Sequence, residues 1–532
     1  MSFSYCGSRV CQWLLPVLAL MGAHCSSASS PSHTPGGSGN AGEGVSAGSP
    51  GGNPGGSPGN SGGAGPSEAG KGNNSFGGAI VTMPGAPGCG LGDKAAFCDT
   101  FDAPSTDTGR GGELDVHKWS GARQQPQAPT GGGLAIGIIK GQMPNCRAGI
   151  PDLVSPDRDT LICDGTDALK SNHLLTSCAA QNYGQNSYRI RQPFDFSGRT
   201  GKIVLDAEGY NEQLLGWISL EISEDPTPGP SFALGGPGTA NNEGSVVPRN
   251  AVEIQFQQPC EPEMKAGGAP LFSVSAVISV VNYQQTEAVP ANRICLKAKQ
   301  GSLNHIEVSV SQSRVEVFGT DFSPDGTTFG ASTLLFGTDV SLPFSKGYVS
   351  ITAHNHATKK YSPNNALLSW AARWDNVGFD GPANTAFREY EIPDSLVAAT
   401  NPFSNNEPVT DIAYLVADTA KTPNDVLHFK GVNLDGMTKA RLALSTWYLQ
   451  SDMNAKYVLR YRLNGGAWRD RPISADEAAV LSDTRSQGAM AIMIDVAMAD
   501  LVSGDNSLEF TSQNIPQNYP PAVSNIDLIL SK

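Results

Sequence analysis

An all-β protein is what this chain predicts: a large two-sheet jelly-roll sandwich followed by a second, smaller β-sandwich. Three observations predict it. Short segments of alternating apolar and polar residues recur from about residue 97 onward, bounded by Gly, Pro, Asn and Asp turns, with no sustained helical period. The composition suits extracellular β domains, with 61 Gly, 37 Pro and only 16% charged residues, against about 25% in an average soluble domain. Every cysteine lies before residue 300, which separates a cysteine-bearing first domain from a cysteine-free second one.

Taken in order, the chain opens on an export signal. Arg9 precedes the apolar run at residues 10–21 (VCQWLLPVLALM), which has the length of a secretory h-region and is too short to span a bilayer. The run closes on Gly22-Ala23-His24-Cys25. This resembles the lipobox of bacterial lipoproteins, with His24 where Gly or Ala is usual. The resemblance implies acylation of Cys25 and attachment to a membrane through lipid alone. Ser26-Ser27, with no Asp after the cysteine, is similar to outer-membrane sorting in Gram-negative hosts. Ordinary cleavage nearby, for example after Ala28, would instead release a secreted protein.

Residues 26–80 are almost wholly Gly, Ser, Pro, Asn and Ala. They cannot bury enough apolar surface to offset their ordering entropy, so they read as a flexible tether. At about fifty residues such a coil spans roughly 40 Å. The expected organisation is a signal over 1–25, a tether over 26–80, the large sandwich over 81–384 and the smaller one over 385–532. The formal charge of −14 argues against a nucleic-acid partner, which needs clustered Lys and Arg. No sequence feature sets an oligomeric state.

Cys6 and Cys11 leave with the signal, and Cys89, Cys98, Cys146, Cys163, Cys178, Cys260 and Cys295 remain beyond Cys25. In an oxidising compartment these should pair. Cys89 with Cys98 and Cys260 with Cys295 are suggested by proximity, the middle three leaving one over, although sequence does not fix connectivity. No CxxC pair and no Cys/His zinc spacing occurs, so disulfides are expected rather than a metal, and no cofactor is implied.

Strands of the first domain are expected at residues 187–196, 202–207, 217–223, 252–256, 305–310, 313–318 and 348–353, each with alternating polarity. Only Ser311-Gln312 separates two of them, which predicts a tight hairpin. The opening Phe97-Cys98-Asp99-Thr100-Phe101-Asp102, followed by Leu114-Asp115-Val116-His117-Lys118-Trp119, resembles the start of concanavalin A-like lectin/glucanase domains. Those include glycoside hydrolase family 16. The run Arg373-Trp374-Asp375-Asn376-Val377-Gly378-Phe379-Asp380 is similar to the final strand of that sandwich, which returns beside the first. In the second domain a hairpin is expected around Asn464-Gly465-Gly466, and a short helix near residues 474–483 capped by Ser474 with Glu477 three residues on. Residues 501–510 and 523–530 resemble the closing strands of galactose-binding-like jelly rolls, a scaffold of many carbohydrate-binding modules.

The family 16 resemblance implies two carboxyl groups flanking a glycosidic bond, held by E-x-D-x-x-E on one strand. The best match places Glu253 as nucleophile, but Gln255 stands in the Asp position and Gln258 in the acid/base position. An amide cannot exchange a proton as a carboxyl does, and general acid/base help is worth about 10²–10⁴-fold. Glu221, on another strand, could meet Glu253 across neighbouring strands; otherwise it is a solvated carboxylate. His354 and His356 share a strand face and could hold a metal, with packing or hydrogen bonding as the simpler reading. Sugar binding asks less: an aromatic face for a pyranose ring, with amides and carboxylates for its hydroxyls. Trp217, Glu253, Gln255, Gln258 and His354 supply that mixture, and Trp447, Tyr448, Tyr461 and Trp468 are further platforms unless they fill the core. The reading that follows is a surface-displayed carbohydrate-binding or adhesive lipoprotein with an inactive glucanase-like domain. The alternatives are a β-glucan hydrolase and a structural envelope module without a sugar ligand.

Overall fold

The computed structural model describes residues 87–107, 109–124, 160–163, 172–180, 184–208, 216–226, 248–257, 271–297, 303–322, 329–355, 368–383, 387–392, 412–414, 426–447, 459–481, 490–512 and 522–532. The signal, Cys25, the tether, Gln258, His356 and Tyr448 lie outside the described residues. All described residues belong to one compact unit, Ser75–Lys532.

Alternation of polarity produces strands almost throughout. The first group is β1 (Ala95–Asp99), β2 (Trp119–Gln124), β3 (Thr160–Cys163), β4 (His173–Ala180), β5 (Gly184–Ile190), β6 (Phe194–Asp195), β7 (Gly201–Glu208), β8 (Gly216–Ser223) and β9 (Ala251–Gln257). It continues with β10 (Leu271–Val281), β11 (Gln284–Ala288), β12 (Leu296–Lys297), β13 (Asn304–Val310), β14 (Arg314–Phe322), β15 (Phe329–Asp339), β16 (Lys346–Asn355) and β17 (Leu368–Asp380). These form an eight-stranded sheet, ordered β15-β14-β13-β7-β17-β4-β3 with β1 beside β17, and a nine-stranded sheet. The latter is ordered β11-β10-β9-β8-β16-β5-β2, with β12 beside β10 and β6 beside β16. Every pairing is antiparallel. The expected single strand at 187–196 is two strands, because Pro193 between β5 and β6 has no N–H to give a ladder.

The two sheets close over one core: Ile218, Leu220 and Ile222 of β8, Val252, Ile254 and Phe256 of β9, and Ile203 and Leu205 of β7 are all fully buried in it. The ends of the domain meet as expected. β1 pairs with β17, Cys98 opposite Gly378, and Trp119 donates its indole N–H to Asp99 at 2.8 Å while its ring meets Phe97 edge-on at 5.6 Å. The Cys89–Cys98 disulfide is formed. Cys295 is also disulfide-bonded, and Cys260 lies outside the described residues.

The second group is β18 (Phe387–Glu391), β19 (Ile412–Tyr414), β20 (Leu427–Val432), β21 (Lys439–Trp447), β22 (Leu459–Leu463), β23 (Arg469–Arg471), α1 (Ala475–Leu481), β24 (Met490–Val496), β25 (Gly504–Ser512) and β26 (Ala522–Ser531). They make a five-stranded sheet, β18-β26-β21-β24 with β19 beside β26, and a four-stranded sheet, β20-β25-β22-β23. The Asn464-Gly465 turn has positive φ at both residues, 52° and 66°, as a two-residue hairpin turn with the right twist requires. At α1 the capping box is reciprocal: the Glu477 N–H donates to Ser474 Oγ at 3.2 Å and the Ser474 N–H to Glu477 Oε2 at 2.8 Å. Replacing Ser474 with alanine is expected to cost about 1 kcal/mol, read as a lower urea midpoint with an unchanged slope; an unaltered midpoint would mean the cap is dispensable.

The outer face of the five-stranded sheet lies on the outer face of the nine-stranded sheet, so the four sheets stack as layers. One apolar cluster runs from Ala251, Ala276, Ile278, Val280 and Tyr283 into the second core around Leu442, Phe429 and Leu528. At the other edge the contact is ionic. Arg110 pairs with Asp527 and Arg191 with Glu391, while Arg189 pairs with both Glu389 and Asp527, all with side chains 6% exposed or less. Ser120 adds a hydrogen bond to Asp527 at 2.9 Å.

Candidate functional site

Strand alternation sends every second residue of the nine-stranded sheet away from its own core, and the registers fix who stands beside whom. One row across the outer face reads Ile278, Glu253, Glu221, Ser350, Arg189, Ser120. The next reads Ala276, Gln255, Ser219, Thr352, Ser187, and the third places Trp217 beside His354. Glu221 and Glu253 are therefore direct cross-strand partners, a placement that brings Cβ atoms to about 4.5–5.5 Å.

Both carboxyls are sealed. Glu221 is 1% exposed and Glu253 0%, whereas a solvated strand carboxylate was the simpler expectation for Glu221. Burial, and secondly the negative charge of Glu253, push the Glu221 carboxyl well above the usual range. Two acids this close and sealed from water favour keeping a proton on Glu221. The Nε2 of His354 stands 3.6 Å from Glu253 Oε1 and shares a hydrogen bond of 2.9 Å with Ser219 Oγ. Its ring lies flat on the Trp217 indole, centroids 4.6 Å apart and planes 11° apart. The simpler expectation for His354, packing and hydrogen bonding, is what its register neighbours Ser219, Glu253 and Trp217 provide. Thr352 donates to Ser187 at 2.8 Å.

Of the residues singled out from sequence, Trp217, Glu221, Glu253, Gln255 and His354 thus share one face. Gln255, at 7% exposure, is nearly buried, and Trp217 is half-buried. Among the described residues no group of three or more His, Cys, Asp or Glu is placed to hold a metal ion. In the second sandwich Tyr461 belongs to the core, 4% exposed with its hydroxyl donating to the Asp495 carbonyl at 3.1 Å; this rules out the platform role, since an internal acceptor takes its polar end. Trp468 lies under the Arg462 guanidinium at 4.6 Å.

Sequence reasoning passed over the interlayer charges. Arg189 and Arg191 lie two apart, as do Glu389 and Glu391, and matching i, i+2 charges of opposite sign were the available signal. Glu389 sits below its ordinary value: burial alone would raise it, but Arg189 and then Arg191 outweigh that. Burial, reinforced by the charge of Glu389, instead lifts Asp527 to about 6 against the pull of Arg110.

Hydrolysis by two carboxyls needs them about 5–5.5 Å or 6.5–9.5 Å apart with a sugar between. Here the two carboxyls are cross-strand partners but sealed from solvent.

No family model and no curated protein matches the chain. Several solved structures superpose on about half of it. The chain is similar to the carbohydrate recognition domain of Emp47p, at 14% identity over 51% of this chain and 100% of that one, with a TM-score of 0.25. It is similar to a Bacteroides ovatus mixed-linkage-glucan protein of glycoside hydrolase family 16, at 12% identity over 53% and 99%, TM-score 0.29. It is also similar to a Bacillus licheniformis β-glucanase, at 13% identity over 54% and 97%, TM-score 0.25. The assignment of an all-β sandwich rests on the strand order and registers of the chain itself.

Proposed function

We propose that this is a non-hydrolytic glycan-binding protein, held at the outer membrane or cell surface through a lipid on Cys25. The observation that carries the reading is the Trp217 indole, half-buried and backed flat by His354. An aromatic plane fixed by a second ring is suited to stacking against a pyranose. Glu221 and Glu253 are sealed from solvent, which favours binding over hydrolysis.

A glycan array run beside a reducing-sugar assay on β-glucans tests this. Binding that weakens about tenfold in Trp217→Ala, roughly 1.4 kcal/mol, with no sugar release, is the expected result. The register pairing of Glu221 with Glu253 favours hydrolysis as the second reading, and sugar release abolished by Glu253→Gln would establish it. Silence in both assays would leave a structural envelope module. For the anchor, Cys25→Ala is expected to move the protein from the membrane fraction to the soluble one; a mature N-terminus at Ser26 or Ser29 would refute lipidation while preserving export.

A further inference from the structure

The row that carries the two carboxyls is held on both flanks by the second sandwich. On one side Ile278, opposite Glu253, belongs to the apolar cluster shared with the second core. On the other, Arg189 pairs with Glu389 and Asp527. Between them, just past the end of β8, Asp225 meets Arg441 of β21 at 3.2 Å. The middle of the row, Glu253, Glu221 and Ser350, is at most 1% exposed. Packing gives no reason for acids here. Ala276 and Ile278 on the adjacent strand show that apolar side chains serve this interface, and burying a carboxyl pair works against it. The side-chain oxygens of Glu221 and Ser350 find no hydrogen-bond partner among the described residues.

We infer that the C-terminal sandwich is an occluding cap over a two-carboxyl site on the nine-stranded sheet, and that the capped form is a resting state. The inference goes beyond glycan binding, since it concerns access to Glu221 and Glu253 whatever the ligand. Polar contacts anchor the cap at two places, Glu389 and Asp527 on Arg189 of the first sandwich and Arg441 on Asp225, and there it can be released.

Carboxyl labelling of the folded full chain, by carbodiimide-driven coupling of glycine ethyl ester read by peptide mass spectrometry, tests it. Two variants loosen the cap: Arg441→Met at the partly exposed edge, and the stronger Arg189→Met. In the wild type, Asp107 and Asp470, both exposed, should label while Glu221 and Glu253 do not. In a loosened variant, labelling of Glu221 and Glu253 should rise at least fivefold, together with Glu389 and Asp527. Asp206, buried on the eight-stranded sheet, should stay unlabelled and so report an intact first sandwich. If Glu389 and Asp527 label while Glu221 and Glu253 stay protected, something else covers the pair and the inference fails. It fails equally if all four stay protected in both variants, since the second sandwich is then a fixed layer, or if the wild type labels at the rate of exposed groups. Glycan affinity does not enter this readout, so the cap and the glycan reading stand or fall separately.

Discussion

Glu221→Gln should make the protein more stable at pH 7 and flatten its stability between mildly acidic and neutral pH. The native carboxyl titrates well above its ordinary value because it is buried and faces Glu253. Over the window from the unfolded value, about 4.3, up to the native one, the folded state therefore holds a proton that the unfolded state has lost. With more protons bound in the native state, stability falls as pH rises, by up to about 1.4 kcal/mol per pH unit for one group. Glutamine carries no titrating proton, so this component should vanish. Asp527, raised to about 6, adds a slope of the same sign below that pH, and it should survive in the variant. Urea titrations at several pH values would measure both. An unchanged slope in Glu221→Gln would mean that Glu221 is ionised in the native protein.

The second large effect belongs to Arg189. Its guanidinium bonds both carboxylate oxygens of Glu389 and lies 3.4 Å from Asp527, with side chains 0–1% exposed. Arg189→Met removes the cation and leaves buried acids behind, which costs about 3–5 kcal/mol in comparable buried pairs. Adding Glu389→Gln removes one stranded charge and should recover part of that loss. The pair is thus coupled, and a double-mutant cycle would give the interaction directly. A loss under about 1 kcal/mol for the single variant would show that water reaches this contact.

Much of the first sandwich was legible because one physical signal repeats in it. Ile218, Leu220 and Ile222 alternate with Trp217, Ser219 and Glu221, so the face each residue takes follows from spacing alone. The partners across the sheet do not follow from spacing. Glu221 reaches Glu253 because β8 and β9 pair in one particular register, and a shift of one residue would have turned Glu253 to the core. The connection between these strands is long, so no turn chemistry in the sequence sets that register. The burial of Asp527 is hidden from spacing for a related reason. In a strand where Ile526, Leu528 and Leu530 face the core, an alternating Asp reads as solvated, yet Arg110 and Ser120, hundreds of residues earlier, bury it. The short-range features, such as the Asn464-Gly465 turn and the Ser474 cap, were readable because both partners lie within a few residues.

The pairing of β1 with β17 has a consequence for how the molecule comes to be. Ala95 stands opposite Asp380, and in the second sandwich Phe387 stands opposite Ser531. Each sandwich is thus completed by joining its earliest strand to its latest. Loop closure over such separations must precede any gain from the contact, and non-local β pairing is correspondingly slow. Until β17 arrives, the edge of β7 that it will cover is open, and unpaired edges are where chains associate wrongly. Refolding should therefore be slow and concentration-sensitive, with the hairpin of β13 and β14, joined locally at Ser311, among the first parts to gain protection from hydrogen exchange.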